Sequence, residues 1–156
     1  MTTSEVFQQT LERLDGNLTV SLVATQHPMM FHVDDDLDDT LAIMRLNDFS
    51  QAPVVDGTAV VGVVEDSRIN SGGLVGRVTV PLSGRMLLSE RAGLRSTIRL
   101  LSTSEFGYRL VVGGKGIEAL VTRSDLQKLP VRLLVFTYIT RLESLIAESI
   151  LRKCSD

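Results

Sequence analysis

With one cysteine, no tryptophan, two histidines and four prolines in 156 residues, several classes of protein are closed to this chain. Cys154 alone allows neither an intrachain disulfide nor a thiolate metal cluster, so a disulfide-stapled fold is excluded. Long apolar runs are also missing. The most apolar late stretch, LLVFTYIT at 133–140, lies between Arg132 and Arg141 and is far shorter than the ~20 residues a membrane-spanning helix needs. The opening residues, MTTSEVFQQTLERLDG, lack the basic start and apolar centre of a secretory signal. These absences predict a soluble protein of a reducing cytoplasm, away from the membrane. What remains is ordinary for a globular chain, 44% hydrophobic and 22% charged, and its length suits one domain or two small units sharing a core.

The net charge of −3 conceals an asymmetry. Residues 1–78 carry 4 basic and 12 acidic side chains, while residues 79–156 carry 12 basic and 7 acidic. A nucleic-acid binder would present one dominant basic face to phosphate, which this division does not provide. It suits a local anionic ligand held by the second half, like chains packing head to tail, or simply solvated surface charge.

The chain repeats itself at an offset of 57. Residues 41–69 lie over 98–126 without a gap, and 6 of the 29 columns are identical: Phe49/Phe106, Val54/Val111, Val55/Val112, Gly57/Gly114, Val64/Val121 and Ser67/Ser124. Each copy reads as helix, strand, turn, strand, short helix. Leu37, Leu41 and Met44 fall on one helical face, as do Leu94, Ile98 and Leu101. The acidic run Asp34–Asp39 sits where carboxylates cap the first of these helices. Two β-branched runs flank Asp56-Gly57, a hairpin signal, and Gly113–Gly116 is its counterpart.

Outside the aligned columns, residues 4–15 predict an amphipathic helix with Val6, Phe7, Leu11 and Leu14 inward and Gly16 ending it. Residues 18–33 and 71–90 are expected to supply an entry strand to each copy. Pro130 is expected to open a long helix through roughly Lys153. That helix is apolar nearly all round at first (Val131, Leu133, Leu134, Val135, Phe136, Tyr138, Ile139, Leu142), so it needs cover on more than one side. The organisation expected is an N-terminal helix at 1–16, repeats at 17–70 and 71–128, and a C-terminal helix at 129–156.

The chemistry-bearing motif is Thr122-Arg123-Ser124-Asp125, where a strand ends and a short helix begins. Thr-x-x-acid is a capping box, tying off helix N–H groups. The same geometry also suits a nucleotide, since free N–H groups and a hydroxyl favour phosphate and a carboxylate accepts from ribose hydroxyls.

Two series of residues carry a resemblance. In copy one they are Ser50-Gln51-Ala52-Pro53-Val54-Val55-Asp56 and Gly62-Val63-Val64, approached through Ala24–Met29 and Val33–Leu37. In copy two they are Leu110-Val111-Val112 and Leu120–Asp125. Taken together over residues 18–128, this doubled order resembles the cystathionine-β-synthase (CBS) domain family. The resemblance implies an α+β fold of two tandem βαββα repeats packed through their sheets, here with the added N-terminal helix and long C-terminal helix. It further implies an adenine nucleotide or related adenosyl ligand (AMP, ADP, ATP, S-adenosylmethionine or cyclic di-AMP) in a cleft between repeats, and pairing into a homodimer. Thr122 and Asp125 would then contact phosphate and ribose, and the backbone of Tyr108, Arg109 and Leu110 would line the base. Arg109 and Arg123 flank that cleft and are candidates for phosphate.

Copy one departs from the pattern. Under the 57-residue offset Glu65 stands for Thr122 and Arg68 for Asp125; a glutamate repels phosphate and an arginine cannot accept from ribose. At most one competent site is expected, with Arg68 a possible contact for a phosphate held by copy two. Leu110 stands where copy one has Pro53.

Other candidates weigh less. His27 and His32 are five apart, with no cysteine near them. An EF-hand loop from Asp34 would need Gly at 39 and Glu at 45, where the chain has Asp39 and Arg45. Gly72–Gly76 and Gly113–Gly116 lack phosphate-loop spacing. Arg91, Arg95 and Arg99 are further candidates for phosphate, with helix-surface charge the plainer reading of Arg95 and Arg99. No nucleophile–base set or metal constellation is legible, so no enzyme and no cofactor is expected. The functional expectation is a ligand-sensing regulatory module acting on an unknown regulated protein. The alternative is a ligand-free scaffold that works through its C-terminal helix.

Overall fold

The 57-residue repeat reappears in the element order of the computed structural model, which describes residues 3–70 and 72–154. Strand β2 (Phe31–His32), helix α2 (Leu37–Leu46), strands β3 (Gln51–Asp56) and β4 (Ala59–Glu65) and a 3-10 turn at Asp66–Arg68 form the first copy. The second comprises β6 (Leu87–Ser89), α3 (Leu94–Thr103), β7 (Tyr108–Gly113), β8 (Gly116–Thr122) and a 3-10 turn at Arg123–Gln127. The helices and both hairpin strands match at an offset of 57, and β4 and β8 share one pattern of burial along all seven positions. Helix α1 (Thr3–Asn17) precedes them, α4 (Leu129–Cys154) follows, and β1 (Thr25–Gln26) and β5 (Val80–Pro81) complete two four-stranded sheets. The sheets run β2-β3-β4-β5 and β1-β8-β7-β6.

Each hairpin is closed by two residues. Gly57 begins the β3–β4 loop at φ +59, a conformation that a Cβ would strain. One extra residue bulges β4, because Val54 pairs with Gly62 but Val55 pairs with Val60. The start of α2 is capped as its acidic run predicts, since Asp36 accepts from the N–H groups of Asp38 and Asp39.

By compactness the chain divides into two units that do not follow the repeats. One holds the residues up to Ala24, Glu90–Gly107 and everything from Val121; the other holds Thr25–Ser89 and Tyr108–Leu120. In the second, Phe31, Leu37, Met44, Ala52, Val54, Val64 and Val75 form a contiguous core. In the first, α1 packs on α4, where Arg141 lies 5.7 Å from the Phe7 ring centre, and Leu11, Leu94, Leu101, Val131 and Leu134 are buried.

Several expectations are corrected. Gly16 lies inside α1, which ends at Asn17, and Val6 faces solvent; Leu11 alone of the four expected apolar positions is fully buried. The entry segments are less strand-like than expected. Residues 18–33 contribute a 3-10 turn (Val20–Leu22) and two short strands that join different sheets: β1 pairs with β8 and β2 with β3. In α2 and α3 the third buried position falls to Thr40 and Thr97, while Leu41 and Ile98 are half-buried. A threonine fits there because its hydroxyl can bond within the helix, as Thr97 does with the Gly93 carbonyl at 3.0 Å. His27 is not on a strand: it takes a left-handed φ of 48 between β1 and β2. Of the expected terminal helices, residues 1–2 and 155–156 lie outside the described residues, as does Ser71, the first residue of the second entry segment.

Candidate functional site

In the unit that holds both termini, Thr122 ends β8 and Asp125 sits in the turn that follows. Asp125 is only 6% exposed, and a carboxylate so enclosed needs donors on both oxygens. Oδ2 accepts from the Thr122 N–H at 2.7 Å and from its hydroxyl at 3.0 Å. The Lys128 ammonium lies 2.7 Å from Oδ1. Lys128 also donates to the Val23 carbonyl at 2.5 Å, and the Thr122 and Ser124 hydroxyls are 2.7 Å apart. Asp125 therefore does what a capping-box acid does. Chemically the turn also gathers two hydroxyls, an ammonium and a carboxylate within a few residues, a set able to meet both a phosphate and a sugar hydroxyl. A carboxylate has about four acceptor positions, so three donors do not exhaust it.

Arg123 is held by the same unit. Its Nε donates to the Leu101 carbonyl at 2.9 Å and an Nη to the Ser104 carbonyl at 2.9 Å, closing carbonyls that the end of α3 leaves open. Its backbone N–H donates to Gly107. Arg95 lies 5.5 Å from the Tyr138 ring centre, beside an open cavity of about 280 Å³ lined also by Ile98, Leu134 and Val135. Of the residues expected to hold a ligand, Arg95 alone lines that cavity, and Thr122, Arg123 and Asp125 do not.

Arg91 and Arg99 also lie in this unit, whereas Arg68, Tyr108, Arg109 and Leu110 lie in the other. The Tyr108 hydroxyl donates to Oε1 of Glu65 at 2.9 Å, and Nε of Arg68 meets Oε2 of the same carboxylate at 2.8 Å. Burial of the ring, and then the Glu65 carboxylate that accepts its proton, push the Tyr108 pKa well above the ordinary phenol range. Arg109 is 4% exposed and donates to the Tyr108 carbonyl at 2.6 Å; burial lowers its pKa. Leu110 is fully buried, and its backbone pairs with Leu87 across β6–β7. Among the described residues no group of three His, Cys, Asp or Glu side chains could hold a metal ion, and no helix is long and apolar enough to cross a membrane.

Two contacts escaped the sequence reading. Lys128 was available from its spacing, three residues after Asp125 on a helical turn. Glu65–Tyr108 joins residues 43 apart, and no pattern in one sequence announces it.

Against known proteins, the CBS domain family model matches residues 20–72. Among the solved structures that share the fold, three serve as comparisons. CBSX2 in complex with AMP has a TM-score of 0.65 and 21% identity over 75% of this chain and 98% of its own. A putative acetoin utilization protein (AcuB) from Vibrio cholerae has 0.65 and 20% over 78% and 96%. The CBS domain of the bacterial CNNM/CorC family Mg2+ transporter in complex with ATP has 0.64 and 20% over 83% and 97%. CBSX2 from Arabidopsis thaliana is itself described as a CBS-pair protein. No curated protein matches the chain. Residues 20–72 are thus similar to the CBS domain family, and the solved structures share the fold over 75–83% of the chain.

Proposed function

We propose that this chain is a non-catalytic regulatory module that binds an adenosine-containing nucleotide through Thr122 and Asp125 and passes the binding event to a partner protein. The observation that carries the reading is the Thr122–Asp125–Lys128 constellation at the end of β8, in a fold whose solved relatives include complexes with AMP and with ATP. Asp125 accepts from the ribose, while Thr122 and Lys128 meet phosphate. Binding biases one arrangement of the module over another, and the partner reads that difference.

A thermal-shift series with AMP, ADP, ATP, S-adenosylmethionine and cyclic di-AMP, followed by calorimetry, tests it. A ligand at 100 times its dissociation constant stabilises the fold by about 2.7 kcal/mol. One hit that weakens at least tenfold in Asp125→Asn supports the assignment; silence across the series overturns it.

Ten exposed large apolar side chains on α4, among them Phe136 at 67% and Leu142 at 58%, favour a second reading. In that reading the helix assembles the chain into a homodimer, or docks it on its partner, without a ligand.

A further inference from the structure

We infer that the first repeat carries a built-in plug, made by Glu65, Arg68 and Tyr108, in the position that corresponds to Thr122 and Asp125, so that the chain takes one nucleotide and not two. The inference rests on the nucleotide reading above and extends it to stoichiometry.

The correspondence is structural as well as sequential. β4 and β8 match residue for residue in length and burial, so Glu65 ends its strand where Thr122 ends the other. The 3-10 turns that follow place Arg68 where Asp125 stands. Both repeats link these two positions through their side chains, at 2.8 Å in the first and 3.0 Å in the second. The polarity is reversed, however. In the second repeat a neutral hydroxyl donates to a carboxylate; in the first a guanidinium donates to a carboxylate placed on the strand.

Tyr108 supplies the third part. It is the first residue of β7, its ring is buried, and its hydroxyl satisfies the Glu65 oxygen that Arg68 leaves. Glu65 therefore has a donor on each oxygen, and the buried phenol has its acceptor. A nucleotide entering here would bring phosphate against a carboxylate, find no ribose acceptor on Arg68, and break the Tyr108–Glu65 hydrogen bond if Glu65 moved aside. Each of these opposes binding, and together they fill from within the polar positions that a ligand would use.

Isothermal titration calorimetry with AMP and with ATP tests the inference, on the full chain and on Glu65→Thr/Arg68→Asp, which gives the first repeat the second repeat's pair. The expected result is one site per chain in the wild type, lost in Asp125→Asn, and two in the double variant. Two sites in the wild type overturn the plug. So does a single wild-type site that survives Asp125→Asn, or a double variant that keeps native circular dichroism but gains no site. Should the double variant fail to fold, the wild-type stoichiometry and its response to Asp125→Asn decide alone. A wild type that binds nothing while the double variant binds one upholds the plug and overturns the Thr122–Asp125 reading; no binding by either overturns both.

Discussion

The ammonium of Lys128 lies 2.7 Å from Oδ1 of Asp125, and the same ammonium reaches the Val23 carbonyl at 2.5 Å. One lysine thus anchors both a nearly buried carboxylate and the segment that leads into β1. Asp125 cannot be a mere ligand contact poised on an otherwise indifferent turn, because three donors depend on it. Asp125→Ala removes that acceptor and is expected to cost about 1–3 kcal/mol of folding stability even without nucleotide. Urea denaturation of the unliganded protein measures this. A variant as stable as the wild type would show that the network contributes nothing. Asp125→Asn keeps one accepting oxygen and the shape of the side chain, and should cost less, which makes it the cleaner probe of binding.

Tyr108 gives a pH dependence with a definite sign. Its folded pKa is raised by burial and by Glu65, whereas an unfolded chain releases the phenol proton near the ordinary value of about 10. Below that range both states hold the proton and the stabilisation is fully present. Above it the unfolded chain ionises first, so stability falls as pH rises. In Tyr138→Phe, which leaves Tyr108 the only tyrosine, phenolate absorbance should appear only as the protein unfolds at alkaline pH. A reversible titration near pH 10 with the fold retained would show that the Tyr108–Glu65 hydrogen bond is not formed.

How much of this was legible beforehand depended on whether a feature was local. The repeat, both hairpins, the Asp36 cap and the Thr122–Asp125 box were readable, because each arises from residues within a few positions of one another or from a comparison of the chain with itself. Apolar periodicity alone does not mark Thr40 and Thr97 as buried, although they occupy one column of the same offset. Arg123 was a candidate for phosphate by position, and the structure shows its guanidinium bonded to carbonyls at the end of α3, 19 and 22 residues away. Entry strands broke into fragments because their partners belong to different sheets, a matter of topology that no window of sequence contains.

That commitment of Arg123 has a consequence. Two charge-assisted hydrogen bonds to carbonyls fix the fork of the guanidinium, and a lysine cannot reproduce them. Arg123→Lys is therefore expected to lose about 1–3 kcal/mol of stability while keeping its charge. Hydrogen exchange should show the loss as faster opening of α3. If Arg123→Lys instead left α3 protection unchanged and weakened only ATP binding, the residue would be a phosphate contact after all.

Gly62 and Ala119 share a column of the repeat, yet they are not interchangeable. Gly62 pairs with Pro81 on β5, and a Cβ there would collide with the Val80 backbone carbonyl and stand 2.6 Å from Cγ2 of Thr79. Ala119 pairs instead with Gln26 on β1, and its methyl group is accommodated. Gly62→Ala must push β5 off its sheet or distort β4, and an overpacked core position of this kind typically costs about 1–3 kcal/mol or more. Thermal unfolding checks it, with Ala119→Gly as the comparison. Ala119→Gly should lose only about 1 kcal/mol through backbone entropy and one missing methyl. Equal losses in the two variants would mean that β5 does not approach Gly62 closely.

Helix α4 separates the two functional readings. Val131 and Leu134 are buried on one face, whereas Val135, Ile139, Leu142, Ile146 and Ile150, spaced four, three, four and four apart, form an exposed stripe beside it. Such spacing keeps apolar side chains on one side of a helix for about four turns, which is the pattern of a helix that packs against another. Deleting everything after Lys128 would strip Val131 and Leu134 from the core and confound folding with assembly, so exposed positions are the better probes. Ile139→Glu with Leu142→Glu places two charges on the stripe without touching a fully buried side chain. If α4 assembles the protein, sedimentation should show the wild type as a dimer and this variant as a monomer whose circular dichroism is unchanged. Nucleotide affinity retained in the monomer would assign binding to the repeats and assembly to the helix; a wild type already monomeric at high concentration would remove the self-assembly reading and leave the stripe to a different protein.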